Sequence, residues 1–277
     1  MFLRSYASRV PHRLLFRTFT TMEYNISVAG KTIPVKAATA DIDIKPVFEF
    51  QPFKDWCAAF DKELSHSKDI TLNSIQIQSI DIFGNDKVGF VKFKTDAELT
   101  ETGKKVPGIV FMRGGAVSVL IILRSSDNPE KGDRVLLTLQ PRVPVPCIKM
   151  PELPAGMLDG SGSFSGTAAK EIEEETGLII EERELTDMTE LAYGNTWRGV
   201  YPSAGGCDEF LRLFLCVKSL PSKQIDELEG KLTGLRDHGE AITLKLVKLE
   251  DAWKESPDAK LLSSLALLDA LKKTGKL

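Results

Sequence analysis

Residues 153–178 read LPAGMLDGSGSFSGTAAKEIEEETGL, and the fold is decided there. A glycine-rich segment from Gly156 to Gly166 leads into a helix predicted over about Thr167–Thr176, which Gly177 stops by supplying the left-handed cap. On that helix Glu171, Glu174 and Glu175 stand at steps of three and four residues, which brings three carboxylates within one turn. Like charges so placed cost stability unless something neutralises them. A hard divalent cation is a natural partner, because Mg2+ prefers carboxylate oxygens and fills its other positions with water and substrate phosphates. The competing reading is a solvated acidic face, the usual state of a charge cluster.

Two other glycine-rich readings fail. Gly160-x-Gly162-x-x-x-Gly166 misses the dinucleotide fingerprint by one residue, and the acidic helix it opens would repel a pyrophosphate. The G-x-x-x-x-G-K-[ST] phosphate loop is absent from the sequence.

Working outward, apolar Phe53, Trp56, Phe60 and Leu64 recur at helical steps and predict one amphipathic helix from Gln51 to His66. Their spacing favours a core role over stacking on a nucleobase. Alternation through Ile75, Ile77, Ile80 and Ile82, then Gly84-Asn85-Asp86 and Val88 to Lys94, predicts a hairpin. Strands are expected at 106–113, 116–124, 134–139, 210–217 and 242–249, with an irregular loop over the proline-laden Pro141 to Pro146. A leucine stripe predicts a last helix from Pro257 to Lys273. Interleaved strands and few helices predict an α/β sandwich preceded by a small β-rich region.

Composition bounds the rest. The 277 residues are 42% hydrophobic and 27% charged, ordinary for a globular chain, and the net charge is −3. Residues 1–22 hold Arg4, Arg9, Arg13 and Arg17 and no acid, so the remainder is more acidic still, which argues against a nucleic-acid surface. This head, rich in Ser and Thr with its apolar residues broken by arginine, reads as an organelle transit peptide and not a secretory signal. The expected destination is mitochondrial, with plastid as the alternative and a cytosolic form starting at Met22 as another. The apolar run Gly114 to Leu123 ends at Arg124, short of the roughly 20 residues a spanning helix needs, so no membrane insertion is expected. Cys57, Cys147, Cys207 and Cys216 form no C-x-x-C pair, and His12, His66 and His238 are isolated, which disfavours a zinc site.

The quoted stretch resembles the Nudix box, G-x5-E-x7-R-E-U-x-E-E-x-G-U. Gly156, Glu171, Ile172, Glu174, Glu175, Gly177 and Leu178 fall in register, whereas Lys170 replaces the Arg and Gly162 the first Glu. Lys170 keeps the charge and loses the bidentate fork. Pro151 to Gly156, Gln140-x-Arg142 and Tyr201 to Glu209 are similar to the ADP-sugar diphosphatase branch, with Ala204 where that branch has Pro, and the plant-type enzymes look most alike.

The resemblance implies a Nudix-type α/β/α sandwich at 106–277, behind a β-rich dimerisation region at 23–105 and the head at 1–22. It implies Mg2+-dependent hydrolysis of ADP-glucose or ADP-ribose to AMP and a sugar phosphate, Mn2+ being a substitute metal. UDP-glucose or GDP-mannose is the near alternative, and a non-catalytic nucleotide-binding protein the distant one. Glu171 and Glu175 would be direct metal ligands, Glu174 an assisting one, and the Ala155 carbonyl would complete one metal's shell. Glu240, or else Glu209, would serve as base, Arg142 would contact phosphate or a partner subunit, and Glu209 would also bind substrate. A homodimer is expected.

Overall fold

Two sheets joined through Gly114 and Gly115 organise the chain. The computed structural model describes residues 23–84, 86–158, 163–234 and 241–277, so the arginine-rich head, Gly162, His238 and Glu240 lie outside the described residues.

The first sheet has the order β1-β2-β3-β4-β5: β1 (Glu23–Val28), β2 (Lys31–Ala37), β3 (Ile70–Phe83), β4 (Lys87–Leu99) and β5 (Ile109–Met112). Helix α1 (Gln51–His66) has the bounds its periodicity predicts and forms the crossover between β2 and β3, which pair in parallel. Its apolar face lies on the sheet, with Phe53 buried and Trp56 set edge-on to Phe93 at 5.1 Å between ring centres. The aromatic stripe is therefore chiefly core. Strands β1 and β2 carry too little alternation to be foreseen, and their pairing is set by a turn whose two residues, Ala29 and Gly30, both have positive φ.

Strand β5 joins β4 in this sheet, so the first sheet runs past the expected boundary at 105 and breaks at the two glycines. Both are required there. Gly114 has φ +85, and a Cβ on Gly115 would lie 2.2 Å from the Phe210 ring.

The second sheet has the order β10-β11-β6-β7-β13-β12. Its strands are β6 (Ala116–Ser125), β7 (Arg134–Arg142), β8 (Cys147–Glu152), β9 (Ala155–Met157), β10 (Leu185–Asp187), β11 (Leu211–Leu220), β12 (Leu232–Thr233) and β13 (Ile242–Lys248). Its helices are α2 (Phe164–Thr176), α3 (Met188–Tyr193), the short α4 (Ser222–Asp226) and α5 (Ala252–Glu255), and α6 (Ala259–Lys273).

Strand β6 is apolar on both faces because it is covered on both. Val117, Val119, Ile121 and Leu123 pack with Ala168 and Ile172 of α2, while Leu120 and Ile122 pack with Met188 of α3 and Leu261, Leu268 and Leu271 of α6. This is the α/β/α sandwich. The expected loop at Pro141–Pro146 is corrected in part: β7 continues through a register shift at Gln140–Arg142, and only 143–146 turn before β8 begins. A bulge admits Pro141 because the residue needs to donate no ladder bond there.

Candidate active site

Strands β6 and β7 pair only at Ile122–Val135 and Leu123–Arg134, then diverge. Strand β8 occupies the free edge of β7 and β9 that of β6, so residues 147–157 form a wedge holding the sheet open. Helix α2 crosses this wedge. Ser163 caps it by accepting from the Gly166 N–H at 3.0 Å, and Gly177 closes it at φ +72.

Within the wedge the ladder uses the Pro154 carbonyl and the Leu158 N–H, bonded to Val119 and Gly115. The N–H of Ala155 therefore faces away from β6, and it donates to Glu175 Oε2 at 3.1 Å. In an extended strand one residue's carbonyl points the same way as its N–H, so the Ala155 carbonyl also faces α2. Gly156 forms the floor: a Cβ there would lie 1.9 Å from Glu171 Cδ and 2.0 Å from its Oε1. The missing side chain is thus the space the Glu171 carboxylate occupies. Glu175 is buried although it is a carboxylate.

Two carboxylates and a backbone carbonyl facing one glycine cradle are all hard oxygen donors, the set that suits Mg2+ when water and phosphate complete its shell. Among the described residues no three His, Cys, Asp or Glu side chains converge on a common point. Glu174 pairs with Lys170 at 3.6 Å. That pair is loose and exposed, as expected where an ammonium replaces a guanidinium fork.

Arg142 is engaged by a neighbouring carboxylate. Its Nε and Nη2 grip the two oxygens of Glu152 at 2.6 and 3.0 Å. Lys260, from α6, reaches Glu152 at 2.7 Å and Asp258 at 3.1 Å. Burial works to raise the pKa of Glu152, whose side chain is only 4% exposed, but Arg142 and Lys260 together outweigh it and hold the carboxyl below its ordinary value. The hydrogen bond to Glu152 raises the pKa of Arg142, and the charge of Glu175 adds to the effect.

Beyond the cradle, Ser163, Thr167, Glu171 and Glu175 follow one another at four-residue steps along α2. The first two line a cleft of about 1230 Å³ between the two sheets. Trp56, Phe83, Phe90, Trp197, Tyr201 and Phe210 give it aromatic walls. Arg198 closes one side, bonded to Asp55 of α1 at 3.1 Å and lying 4.3 Å over the Phe210 ring. Arg113 lies where β5 ends. Asp208 accepts its backbone N–H at 2.8 Å, and its guanidinium contacts Met157 Sδ at 2.8 Å and Glu209 at 3.4 Å. Burial raises the pKa of Asp208 against the opposing backbone bonds from Arg113 and Gly114.

The family model for the NUDIX domain matches residues 112–265, more than half of the chain. The chain belongs to the Nudix family. It is 40% identical over 245 residues to Nudix hydrolase 14, chloroplastic, of Arabidopsis thaliana, an overlap of 86% of this chain and 77% of that protein. A crystal structure of an ADP compounds hydrolase superposes on it with a TM-score of 0.47 and 15% identity, covering 75% of this chain and 99% of that one.

This Nudix hydrolase is thus a member of an enzyme family that acts on pyrophosphate bonds and generally needs a divalent metal ion. Its structure brings Glu171, Glu175 and Ala155 together, sets Glu174 aside on Lys170, engages Arg142 with Glu152 and pairs Glu209 with Arg113. Sequence reasoning missed Glu152, Lys260, Arg113 and the cleft aromatics Trp197, Tyr201 and Phe210. Glu152 and Tyr201 did lie in stretches quoted for their resemblance. The others lie in or beside elements the sequence does mark, but periodicity marks the apolar face of an element and not which of its polar or aromatic side chains meet in a cleft. No helix of the described residues is long and apolar enough to cross a membrane.

Proposed function

We propose that this Nudix hydrolase is a Mg2+-dependent ADP-sugar diphosphatase, releasing AMP and a sugar phosphate from ADP-glucose or ADP-ribose. The observation that carries the reading is the glycine cradle under Glu171 and Glu175 with an aromatic cleft one helical turn beyond it. A nucleotide sugar has matching parts: a doubly charged diphosphate and a planar base whose apolar faces suit aromatic walls. The name of the relative, Nudix hydrolase 14, supports a hydrolase over the non-catalytic alternative.

Glu171, Glu175 and the Ala155 carbonyl would hold the metal, with Glu174 joining after leaving Lys170. When bound, the cation supplies charge neutralisation and polarises a phosphoryl oxygen. The chain's own residues do the rest. Gly156 lets the Glu171 carboxylate approach the strand, the Ala155 N–H keeps Glu175 in place, and the cleft walls exclude water and orient the base. Glu152, itself held by Lys260, fixes Arg142 through Nε and Nη2, and the guanidinium would offer its remaining N–H groups to phosphate. Glu240 accepts the proton of the attacking water, with Glu209 as the alternative base.

The region at 23–105, with β5, serves as a dimerisation module, and the acid-free head serves as an import signal. The chloroplastic name of the relative supports the plastid destination over the mitochondrial one that composition first suggested. A fluorescent fusion of residues 1–30 tests this: plastid signal supports it, mitochondrial signal restores the first expectation, and diffuse cytosolic signal removes both.

The deciding experiment incubates purified protein and Mg2+ with ADP-glucose, ADP-ribose, UDP-glucose and GDP-mannose. AMP from either adenine substrate supports the reading. Turnover confined to the uridine or guanosine compounds transfers it to the neighbouring substrate class, and no turnover with retained binding points to the non-catalytic alternative.

A further inference from the structure

Among the described residues, the cations around the seam between cradle and cleft differ in how fully they are held. Arg142 and Lys260 are held by Glu152, Lys170 faces Glu174, and Arg198 is shared between Asp55 and the Phe210 ring. Arg113 differs. Its guanidinium lies 5.9 Å over the Phe90 ring and contacts a thioether, which is a weak acceptor, and a carboxylate at 3.4 Å, while its Nε is buried with no hydrogen-bond partner. An arginine with five donors so thinly satisfied is costly to hold in a half-buried position, where its side chain is 32% exposed. Its backbone is nevertheless fixed by Asp208 at the rigid glycine junction, so the side chain has a defined origin on the cleft wall. The thioether it touches belongs to Met157, the residue after the cradle glycine.

We propose that Arg113 is a substrate-binding residue that takes a phosphate oxygen of the nucleotide half, and that Glu209 holds it in waiting. This deepens the ADP-sugar reading and rests on it for the identity of the nucleotide. The chemistry is that of a guanidinium fork on a phosphate, which supplies the short charge-assisted acceptor Arg113 lacks. The aromatic walls recognise a base with or without its phosphate, whereas Arg113 responds to the phosphate alone. Affinity for AMP and affinity for adenosine therefore separate its contribution from that of the walls.

The test is calorimetric titration of the full chain with AMP and with adenosine, in EDTA so that no metal contributes. The wild type binds AMP more tightly than adenosine. Arg113→Gln lowers AMP affinity about tenfold or more, the scale of one lost charge-assisted hydrogen bond, and leaves adenosine affinity unchanged. Arg113→Lys recovers part of the loss. Glu209→Gln, which removes the competing carboxylate without touching Arg113, strengthens AMP binding and provides a readout should the Arg113 variants fail to fold. Equal losses for AMP and adenosine, or no loss for either, would overturn the assignment, as would a wild type indifferent to the phosphate. Because the titration involves no turnover, it stands or falls independently of the substrate panel: AMP release with an unaffected Arg113→Gln titration rejects only Arg113, and a phosphate-selective loss without hydrolysis rejects only the ADP-sugar reading.

Discussion

Substituting Gly156 by Ala separates the cost to the fold from the cost to the chemistry. The added methyl would lie 1.9 Å from Glu171 Cδ, 2.0 Å from Oε1 and 2.3 Å from Cγ. Reaching ordinary contact near 3.4 Å means that the carboxyl must withdraw by about 1.5 Å. The clashing atoms are the far end of a flexible side chain, which swings aside at small cost, so stability should fall by no more than about 1 kcal/mol, the low end for overpacking. The same withdrawal removes the carboxylate from the cradle, and misplacing a reacting group by about 1 Å costs on the order of a hundredfold in rate. Gly156→Ala should therefore keep the wild-type far-UV spectrum and nearly the same Tm while kcat/KM drops by about two orders of magnitude and the Mg2+ concentration for half-maximal rate rises. The assay is initial-rate AMP release across a Mg2+ series, paired with thermal unfolding. Unaltered kcat/KM would show that Glu171 does not work from the cradle, and wholesale unfolding would show that the glycine serves packing alone.

Glu175→Gln keeps the acceptor for the Ala155 N–H but removes the charge; turnover should fall roughly a hundredfold or more. Mg2+ should raise the Tm of the wild type and not of this variant, read by differential scanning fluorimetry. Glu152→Ala leaves Arg142 and Lys260 without their shared acceptor and should cost about 3–5 kcal/mol in urea unfolding. Since the folded pKa of Glu152 lies below its ordinary value of 4.5, its contribution is fully present above that value and is lost as pH falls through the depressed one. The stability gap between wild type and Glu152→Gln should accordingly close in acid, and a constant gap would contradict the linkage. Gly115→Ala meets the rigid Phe210 ring at 2.2 Å and should cost about 1–3 kcal/mol, with base affinity falling in parallel.

The sequence by itself determined what depends on local spacing. The period of α1 set its bounds, since a stripe of Phe53, Trp56, Phe60 and Leu64 can be buried only by a helix over Gln51–His66. The run from 116 to 124 marked a strand, and the structure shows it covered on both faces. The register of Gly156 with Glu171, Glu174 and Glu175 marked the family and the carboxylate row, because the i, i+3 and i+4 geometry of a helix is written directly in residue numbers.

Tertiary structure decided everything that depends on which strand ends lie side by side. The wedge of β8 and β9 comes from strands too short to show a period, and their position follows from the divergence of β6 and β7. The Arg142–Glu152–Lys260 network joins residues separated by 108 positions at its longest step. The pairing of Arg113 with Glu209 likewise brings together distant segments of the chain. Charges in the sequence carry no sign of their partners, because ion pairing is set by distance in space, and that distance exists only once the two sheets have packed.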